Sequence, residues 1–182
     1  MYRFLDIVIS FVALFFLWPL LLIVCLIGCF DTGSPVFLQK RVGKNQKLFT
    51  LIKFRTMKPD TASVATHLAS SSSITKFGHF LRKSKVDELP QLINVLFGSM
   101  SLVGPRPCLF NQEELIAERQ SRGVFDVLPG ITGLSQINQI DMSTPKLLAE
   151  WDQKMINSMS LRNYFTYIVA TGLGKGAGDR IR

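Results

Sequence analysis

Two adjacent carboxylates, Asp87 and Glu88, are the side chains in this sequence best placed to perform chemistry. A basic run at 82–85 precedes them, and a short apolar helix pattern at 92–97 follows. Pro90 is tolerated in the first turn of a helix, which predicts that both carboxylates lie at or near the N-terminus of that helix. The partial positive charge there favours an ionised carboxylate, which can act as a helix cap, a metal ligand or a nucleophile. Capping is the default for an isolated Asp-Glu pair.

Three cations elsewhere in the chain have the properties needed to bind phosphate beside this pair. Lys53 and Arg55 alternate with other residues in a predicted strand at 48–57, so both lie on one of its faces. That face is either solvated or a platform for anions. Arg106 stands between two prolines in a stiff segment, so little entropy is lost when its guanidinium is fixed on a phosphate. A structural ion pair is an equally good interpretation of Arg106.

An apolar segment at 7–30 is long enough for a helix that crosses a hydrocarbon core about 30 Å thick. Pro19 lies in its middle after Trp18, and it predicts a kink because it removes a backbone hydrogen bond. The residues alone favour an ordinary spanning helix over one that bends and returns to the same face. Asp6 is expected at the membrane interface, with Arg3 as its partner at helical spacing.

The composition points to a single domain that works at an anionic surface. The chain has 182 residues, of which 47% are hydrophobic, and a formal net charge of +8. Anionic lipid and phosphorylated substrates fit this charge better than nucleic acid, because the basic residues accompany a membrane segment and no nucleic-acid-binding motif. More of the flanking positive charge follows the apolar segment, which places the remainder of the chain in the cytoplasm. Three cysteines without paired spacing argue against a disulfide framework. The two histidines do not have the spacing of zinc ligands with these cysteines, so no zinc site is predicted.

The remaining segments alternate between short elements and turns. Strands at 36–39 and 48–57 read as a β-hairpin, and a Ser/Thr-rich stretch at 60–73 reads as a mobile loop. Helices are predicted from 74, at 111–122 on the surface, and at 145–159, and a glycine-rich turn is predicted at 127–134. The aromatic segment at 161–170 is too short to span, so it is either an interfacial helix or buried core. The glycine-rich stretch at 172–178 lacks the Lys-Ser/Thr ending of a phosphate loop and is expected to be a flexible tail.

Four motifs follow the apolar segment in a fixed order: Lys53-Phe54-Arg55-Thr56-Met57, Asp87-Glu88-Leu89-Pro90-Gln91, Ser101-Leu102-Val103-Gly104-Pro105-Arg106-Pro107 and Pro129-Gly130-Ile131-Thr132-Gly133. Together they resemble the small monotopic phosphoglycosyl transferases of bacteria, the bacterial sugar transferase family. Such enzymes initiate O-antigen (lipopolysaccharide), capsule, exopolysaccharide or glycoprotein glycans. The resemblance covers nearly the whole chain and corresponds to the catalytic core of larger members.

The resemblance implies transfer of a sugar-1-phosphate from a UDP-sugar to polyprenol (undecaprenyl) phosphate, with release of UMP. Asp87 would be the nucleophile of a ping-pong mechanism with a covalent phosphosugar intermediate, and Asp87 and Glu88 would hold Mg²⁺. The substrate- and phosphate-binding residues would be Lys53, Arg55, Gly104, Pro105 and Arg106. The sugar is expected to be an N-acetylated hexosamine or 6-deoxyhexosamine, and a homodimer is compatible with the family.

The fold implied by the resemblance is α+β and mostly helical, on the cytoplasmic face of the bacterial inner membrane. Residues 1–32 would form a re-entrant helix hairpin bent at Trp18 and Pro19, against the preference from the residues alone. Residues 33–182 would form the catalytic core, with a small β-hairpin and interfacial amphipathic helices. Many relatives carry Ser-Pro at the bend, and Trp18 cannot bond locally to the freed carbonyl as a serine can.

Two other classes of function compete with this expectation. A non-catalytic, membrane-anchored partner could bind lipid or serve as a scaffold in a glycan assembly complex. A conventional glycosyltransferase would move the sugar alone and release UDP.

Overall fold

The computed structural model describes residues 1–61 and 71–176, and most of these residues are helical. The α-helices are α1 (Tyr2–Thr32), α2 (Lys76–Ser84), α3 (Gln91–Leu96), α4 (Glu113–Ser121), α5 (Leu134–Ile137), α6 (Pro145–Asn157) and α7 (Leu161–Gly172), and the strands are β1 (Val36–Val42), β2 (Leu48–Phe54), β3 (Ser101–Val103) and β4 (Gly130–Thr132). A mostly helical α+β fold with a small β-hairpin is therefore confirmed. The loop expected at 60–73 and the tail expected at 172–178 lie partly outside the described residues.

The predicted β-hairpin is formed by β1 and β2. The strands are antiparallel and in register from Val36 opposite Phe54 to Val42 opposite Leu48. Asn45 in the turn has a φ of 54°, in the left-handed region that Asn adopts more readily than most residues. β1 extends beyond the predicted 36–39 because the pairing continues up to the turn, whereas β2 ends at Phe54, before the predicted end at 57.

A second pair of strands was not expected, since the segment that contains β4 was predicted to be a turn. β3 and β4 are parallel, with Ser101 opposite Gly130 and Val103 opposite Thr132. Gly104 and Gly130 lie so close together that a Cβ atom on either glycine would overlap the backbone of the opposite segment. These glycines are explained by the close approach of two backbones, without any ligand.

The apolar segment forms α1, a helix of 31 residues that continues across Pro19. It is long and apolar enough to cross a membrane, and little of it is buried in the protein. The expected break into two helices at Trp18 and Pro19 is not confirmed, because the helix is assigned without interruption through both residues.

Asp6, near the start of α1, is buried and not at an interface with solvent. Only 2% of the residue is exposed, and its Oδ1 atom accepts three hydrogen bonds. The donors are the Leu102 backbone N–H at 2.9 Å, the Ser101 hydroxyl at 3.1 Å and the Tyr164 hydroxyl at 2.8 Å. β3 and α7 together therefore satisfy this carboxylate in the protein interior, and its position at the membrane interface stays a prediction.

Arg3 does not pair with Asp6 either. Its guanidinium donates to the carbonyl oxygens of Val95 and Leu96, at 2.6 and 3.0 Å. These carbonyls belong to the last turn of α3, where no intrahelical partner remains for them and where a cation is favourable. The helical spacing of Arg3 and Asp6 suggested a local pair, but each residue finds a better partner in the folded core.

The other end of α1 is attached to the same body. Val24 is buried against Phe54 and Leu81, which belong to β2 and α2. Near the end of the helix, the Thr75 hydroxyl donates to the Asp31 carboxylate at 2.6 Å. The two ends of the apolar helix are thus both in contact with the globular part of the chain.

The main hydrophobic core lies between α1, α3, the β3–β4 pair, α6 and α7. Its fully buried members include Val95, Met100, Met155 and Tyr164. A second cluster joins α4 to α6 through Leu115 and other residues, so α4 is not the simple surface helix that was predicted.

Helix α7 has two faces with different environments. Tyr164, Tyr167 and Ala170 are buried, whereas an apolar stripe on the opposite face is exposed. The stripe consists of Leu161, Phe165, Val169 and Leu173. The buried-core interpretation therefore holds for one face, and an interfacial role for the exposed apolar face stays a prediction.

We expect Tyr164→Phe to lower the free energy of unfolding by about 1–3 kcal/mol, because it removes a buried hydrogen bond to Asp6. Asp6→Ala should cost more, since it leaves several buried donors without an acceptor. Chemical denaturation in detergent micelles measures both changes.

The matched control is Tyr167→Phe, on the same buried face of α7. Within the part of the chain that the structure describes, the Tyr167 hydroxyl makes no hydrogen bond to a side chain comparable to the one from Tyr164 to Asp6. A loss for Tyr167→Phe equal to that for Tyr164→Phe would contradict a special role for the Asp6 contact.

Candidate active site

Asp87 lies in a 3₁₀ turn, Val86–Glu88, between α2 and α3. Lys85, with a φ of 57°, ends α2 and turns the chain toward this segment. The sequence placed Asp87 at or near the start of α3, but that helix begins only at Gln91. The carboxylate therefore does not occupy the first turn of α3.

The end of β2 fixes the position of α2 and hence of the turn. Thr75 caps α2 by accepting a hydrogen bond from the Gly78 N–H at 2.8 Å. Gly78 packs directly on the backbone of Thr56, where a Cβ atom would overlap the carbonyl. The Arg82 guanidinium donates to the Thr56 hydroxyl at 2.8 Å. These contacts bring the carboxylates to the end of β2, where Lys53 lies.

The carboxyl of Asp87 is buried among charges of both signs. Only 6% of the residue is exposed, and burial together with the neighbouring Glu88 raises its pKa to about 7. Lys53, Arg82 and Arg106 act in the opposite direction and lower this pKa. The sequence analysis considered only the helix end, which favours the carboxylate; burial, which no local pattern reveals, favours the neutral acid.

Arg106 forms an ion pair with Glu88, with Nη2 and Oε1 3.0 Å apart. Both side chains are partly exposed, so the pair faces solvent beside the buried Asp87. The sequence left an ion pair and a phosphate-binding role open for Arg106. The structure shows the ion pair, and it also places this guanidinium close enough to lower the pKa of Asp87.

A buried network holds the backbone on which Arg106 stands. The Arg119 guanidinium donates to the carbonyl of Arg106 at 2.8 Å and twice to Oδ2 of Asp152, at 3.0 and 2.6 Å. The Gln136 side chain donates to the carbonyl of Gly104 at 3.2 Å. Sequence reasoning missed Arg119 and Asp152, because one lies on each of two helices and no local pattern links them.

Gly104 and Pro105 contribute backbone atoms that extend the β3–β4 pairing. The Gly104 N–H donates to the carbonyl of Thr132, and the carbonyl of Pro105 accepts from the Gly130 N–H, both at 2.9 Å. These groups therefore position Arg106. A role for either residue in binding phosphate stays a prediction.

Lys53 and Arg55 lie on one face of the hairpin, as predicted. Both cations lie over the ring of Phe37, at 5.7 and 5.4 Å from its centroid. Lys53 lines a narrow cleft with Glu88 and Arg106, and the residues around that cleft do not include Arg55. Arg55 instead donates to the carbonyl of Ser34 at 2.8 Å.

Arg82 is a further member of the site. It belongs to the basic run at 82–85, and the structure turns it toward Thr56 and Asp87. No local spacing reveals this contact, because α2 ends at Ser84 and Lys85 turns the chain before Asp87.

The family model for bacterial sugar transferases matches residues 1–174. The chain belongs to this family. It is 39% identical over 150 residues to UDP-glucose:undecaprenyl-phosphate glucose-1-phosphate transferase of Xanthomonas campestris pv. campestris, which covers 78% of this chain and 31% of the relative. It is 43% identical over 143 residues to exopolysaccharide production protein PSS of Rhizobium leguminosarum bv. phaseoli. That match covers 72% of this chain and 70% of the relative.

A third relative is the uncharacterized sugar transferase EpsL of Bacillus subtilis (strain 168), 51% identical over 107 residues. That match covers 58% of this chain and 52% of the relative. The chain thus spans about half of the Bacillus relative and about a third of the Xanthomonas one, and most of the Rhizobium relative.

The carboxylates of this bacterial sugar transferase suit Mg²⁺ only in combination with a substrate. Among residues 1–61 and 71–176, no group of three potential metal ligands from His, Cys, Asp and Glu comes together. Asp87 and Glu88 offer two carboxylates, which is a donor set that Mg²⁺ uses when substrate phosphates and waters complete its octahedron. The residues present therefore fit a metal that arrives with a diphosphate.

We expect Asp87 to titrate near pH 7 in the folded protein, so its carboxylate fraction rises as the pH rises through that value. Lys53→Met removes a cation that lowers the pKa, and the midpoint should therefore move to higher pH. Carboxyl ¹³C NMR of aspartate-labelled protein measures the midpoint, with Asp87→Asn to assign the signal.

Lys44→Met, in the turn of the hairpin, changes the net charge equally and should leave the midpoint in place. A wild-type midpoint near the ordinary aspartate value of 3.8 would show that burial does not control this carboxyl.

Proposed function

We propose that this protein transfers a sugar-1-phosphate from a UDP-sugar to polyprenol phosphate and releases UMP. The observation that carries the proposal is the buried carboxyl of Asp87, which has Glu88 beside it and Lys53, Arg82 and Arg106 close enough to lower its pKa. A nucleophile with a set of cations around it is what transfer of a phosphoryl group between anions requires. Membership of the bacterial sugar transferase family supports the same reaction.

The reaction would proceed in two displacements at one phosphorus atom. The Asp87 carboxylate attacks the phosphorus that carries the sugar, an acyl-phosphate bond forms, and the bond to UMP breaks with its electron pair on the UMP oxygen. A phosphate oxygen of the polyprenol phosphate then attacks the same phosphorus and displaces the Asp87 carboxylate. The products are UMP, polyprenyl diphosphosugar and the regenerated enzyme.

The cations have two tasks in this scheme. They bind the phosphate oxygens, and they lower the pKa of Asp87 and so increase the fraction of the attacking carboxylate. Lys53 and Arg106 line the narrow cleft beside Glu88 and are the residues we assign to the donor diphosphate. Mg²⁺, when held by Glu88 and Asp87 with the donor, would supply charge neutralisation on the departing UMP.

The sugar is the open part of the proposal. The Xanthomonas relative is named for a UDP-glucose donor, which makes UDP-glucose the reference compound for this chain. The expected N-acetylated hexosamines, with and without the 6-hydroxyl group, are the compounds to compare with it.

We infer that α1 enters the bilayer and returns to the same, cytoplasmic, face. Asp6 bonds to β3 and α7 at one end of the helix, and Asp31 bonds to Thr75 at the other end. A helix that spanned the bilayer would separate its ends by about 30 Å of hydrocarbon, and one of these contacts would break. The exposed large side chains of α1 are apolar along its length, which suits burial in lipid.

Asp87→Asn should abolish UMP release from a UDP-sugar and polyprenol phosphate, because the amide cannot attack phosphorus. Intact mass of wild-type protein incubated with donor alone should show a sugar-phosphate adduct, which this variant lacks. Asp126→Asn, an exposed carboxyl on a different turn, is the matched control and should retain activity.

Normal turnover by Asp87→Asn would overturn the mechanism. Release of UDP would identify a sugar-only transferase, and salt-sensitive vesicle binding with no nucleotide released would identify a non-catalytic partner.

A cysteine placed before Met1 should be labelled from the cytoplasmic side, the side of the globular part, in a background where Cys25 and Cys29 are serine. A C-terminal reporter establishes the side of the globular part. Labelling of the new cysteine only from the periplasm would show that α1 spans the membrane.

A further inference from the structure

A second cleft lies on the other side of Glu88 from the donor cations. Its volume is about 510 Å³, within the range of about 300–1,000 Å³ typical of pockets for small molecules. It lies between the end of α7 and the segment that carries the carboxylates. Most of its wall is apolar and includes Leu89, Leu92, Leu102, Ile131, Ile168 and Leu173.

Two lysines stand at the edge of this cleft. Lys83 is exposed, and Lys85 donates to the carbonyl of Lys175 at 3.0 Å, which holds its ammonium group beside the opening. An apolar cavity with cations at its edge complements a molecule with an anionic head and a hydrocarbon tail. A nucleotide sugar has no such tail and matches the polar cleft of Lys53 and Arg106 better.

Glu88 and Ile131 line both clefts and form the partition between them. Asp87 precedes Glu88 directly, so an acceptor phosphate in this cleft would lie close to the residue that carries the sugar phosphate in the proposed intermediate. The second displacement needs the acceptor phosphate to reach that same phosphorus atom once UMP has left.

The cleft also opens toward the apolar stripe of α7. Ile168, Thr171 and Leu173 of that helix line the cleft, and Leu173 is itself 80% exposed. Phe165 and Val169 continue the exposed apolar surface on the same helix. A hydrocarbon chain that leaves the cleft at Leu173 therefore finds an apolar surface and, beyond it, lipid.

We propose that this cleft binds the acceptor: the phosphate of polyprenol phosphate lies at Lys83 and Lys85, and the first isoprene units lie against the apolar wall. This assignment rests on the proposed function and adds the location of its second substrate. The cleft is too small for a long polyprenol, so the rest of the chain remains in the bilayer.

Ile168→Trp fills the cleft and tests the proposal in the full chain in lipid nanodiscs. We expect the KM for polyprenol phosphate to rise about tenfold or more, since an overfilled pocket must displace its ligand or its wall. The KM for the UDP-sugar and the exchange of labelled UMP into UDP-sugar without acceptor should be unchanged. An acceptor KM within about twofold of wild type would overturn the proposal.

Thr166→Trp is the matched control at an exposed position of the same helix, outside the cleft and the apolar stripe, and should leave all these values unchanged. Leu173→Ser is a second cleft variant at an exposed position, so folding tolerates it, and it should raise the acceptor KM without lowering the melting temperature. Lys83→Met combined with Lys85→Met should raise the acceptor KM and weaken its salt dependence.

Equilibrium binding of farnesyl phosphate separates this proposal from the proposed function. Ile168→Trp should weaken that binding, and farnesol, which lacks the phosphate, should bind less tightly to wild-type protein. If wild type releases no UMP yet Ile168→Trp loses farnesyl phosphate, the proposed function fails and the cleft stands as a site for isoprenoid phosphates. If the enzyme is active and farnesyl phosphate binds wild type and Ile168→Trp equally, the cleft is not the acceptor site.

Discussion

The geometry of the site depends on an ion pair that has almost no contact with solvent, Arg119 with Asp152. Transfer of two charges out of water costs several kcal/mol for each ion, and only close pairing with additional hydrogen bonds offsets it. Here the guanidinium donates twice to one carboxylate oxygen and once to the carbonyl of Arg106, and the other carboxylate oxygen accepts from Ser135. The pair joins α4 to α6 and holds the backbone carbonyl of Arg106. Arg106, which faces solvent, is thus positioned by Arg119, which solvent barely reaches.

Unlike Asp152, which is held in a close ion pair, Asp87 is subject to opposing influences on its pKa. Burial and Glu88 favour the neutral acid, whereas three cations favour the carboxylate, and the result is a pKa of about 7. A carboxyl near this balance point responds to small changes in its surroundings. A divalent cation bound beside it shifts it toward the carboxylate, and each additional phosphate charge shifts it back. The site can therefore couple the reactivity of its nucleophile to what is bound next to it.

The parts that were predicted correctly from the sequence depend on local patterns. Alternation along 48–57 identified the hairpin and the shared face of Lys53 and Arg55, and one face of the aromatic helix α7 is core, which was one of its two interpretations. The mostly helical α+β fold and the family followed from the order of the motifs.

The parts that were missed depend on contacts between distant residues. The strands of the β3–β4 pair are three residues each, too short to show a period, and only the closeness of Gly104 to Gly130 explains their glycines. Arg3 and Asp6 had the spacing of a local pair, but each bonds instead to residues distant in sequence, Arg3 to Val95 and Asp6 to Tyr164. The effect of burial on Asp87 could not be predicted for the same reason, because the charge of a helix end is local and burial is not.

The hydrogen bonds of Asp6 also impose an order on the assembly of the protein. Its partners lie 95 to 158 positions later in the chain, so α1 is synthesised long before these contacts can form. Closing loops of this length costs conformational entropy that local contacts do not require. Until α7 has been synthesised, the nascent chain carries an acidic group in its apolar helix without the tyrosine that later binds it. The full set of hydrogen bonds that Asp6 accepts therefore forms only after α7 has been synthesised.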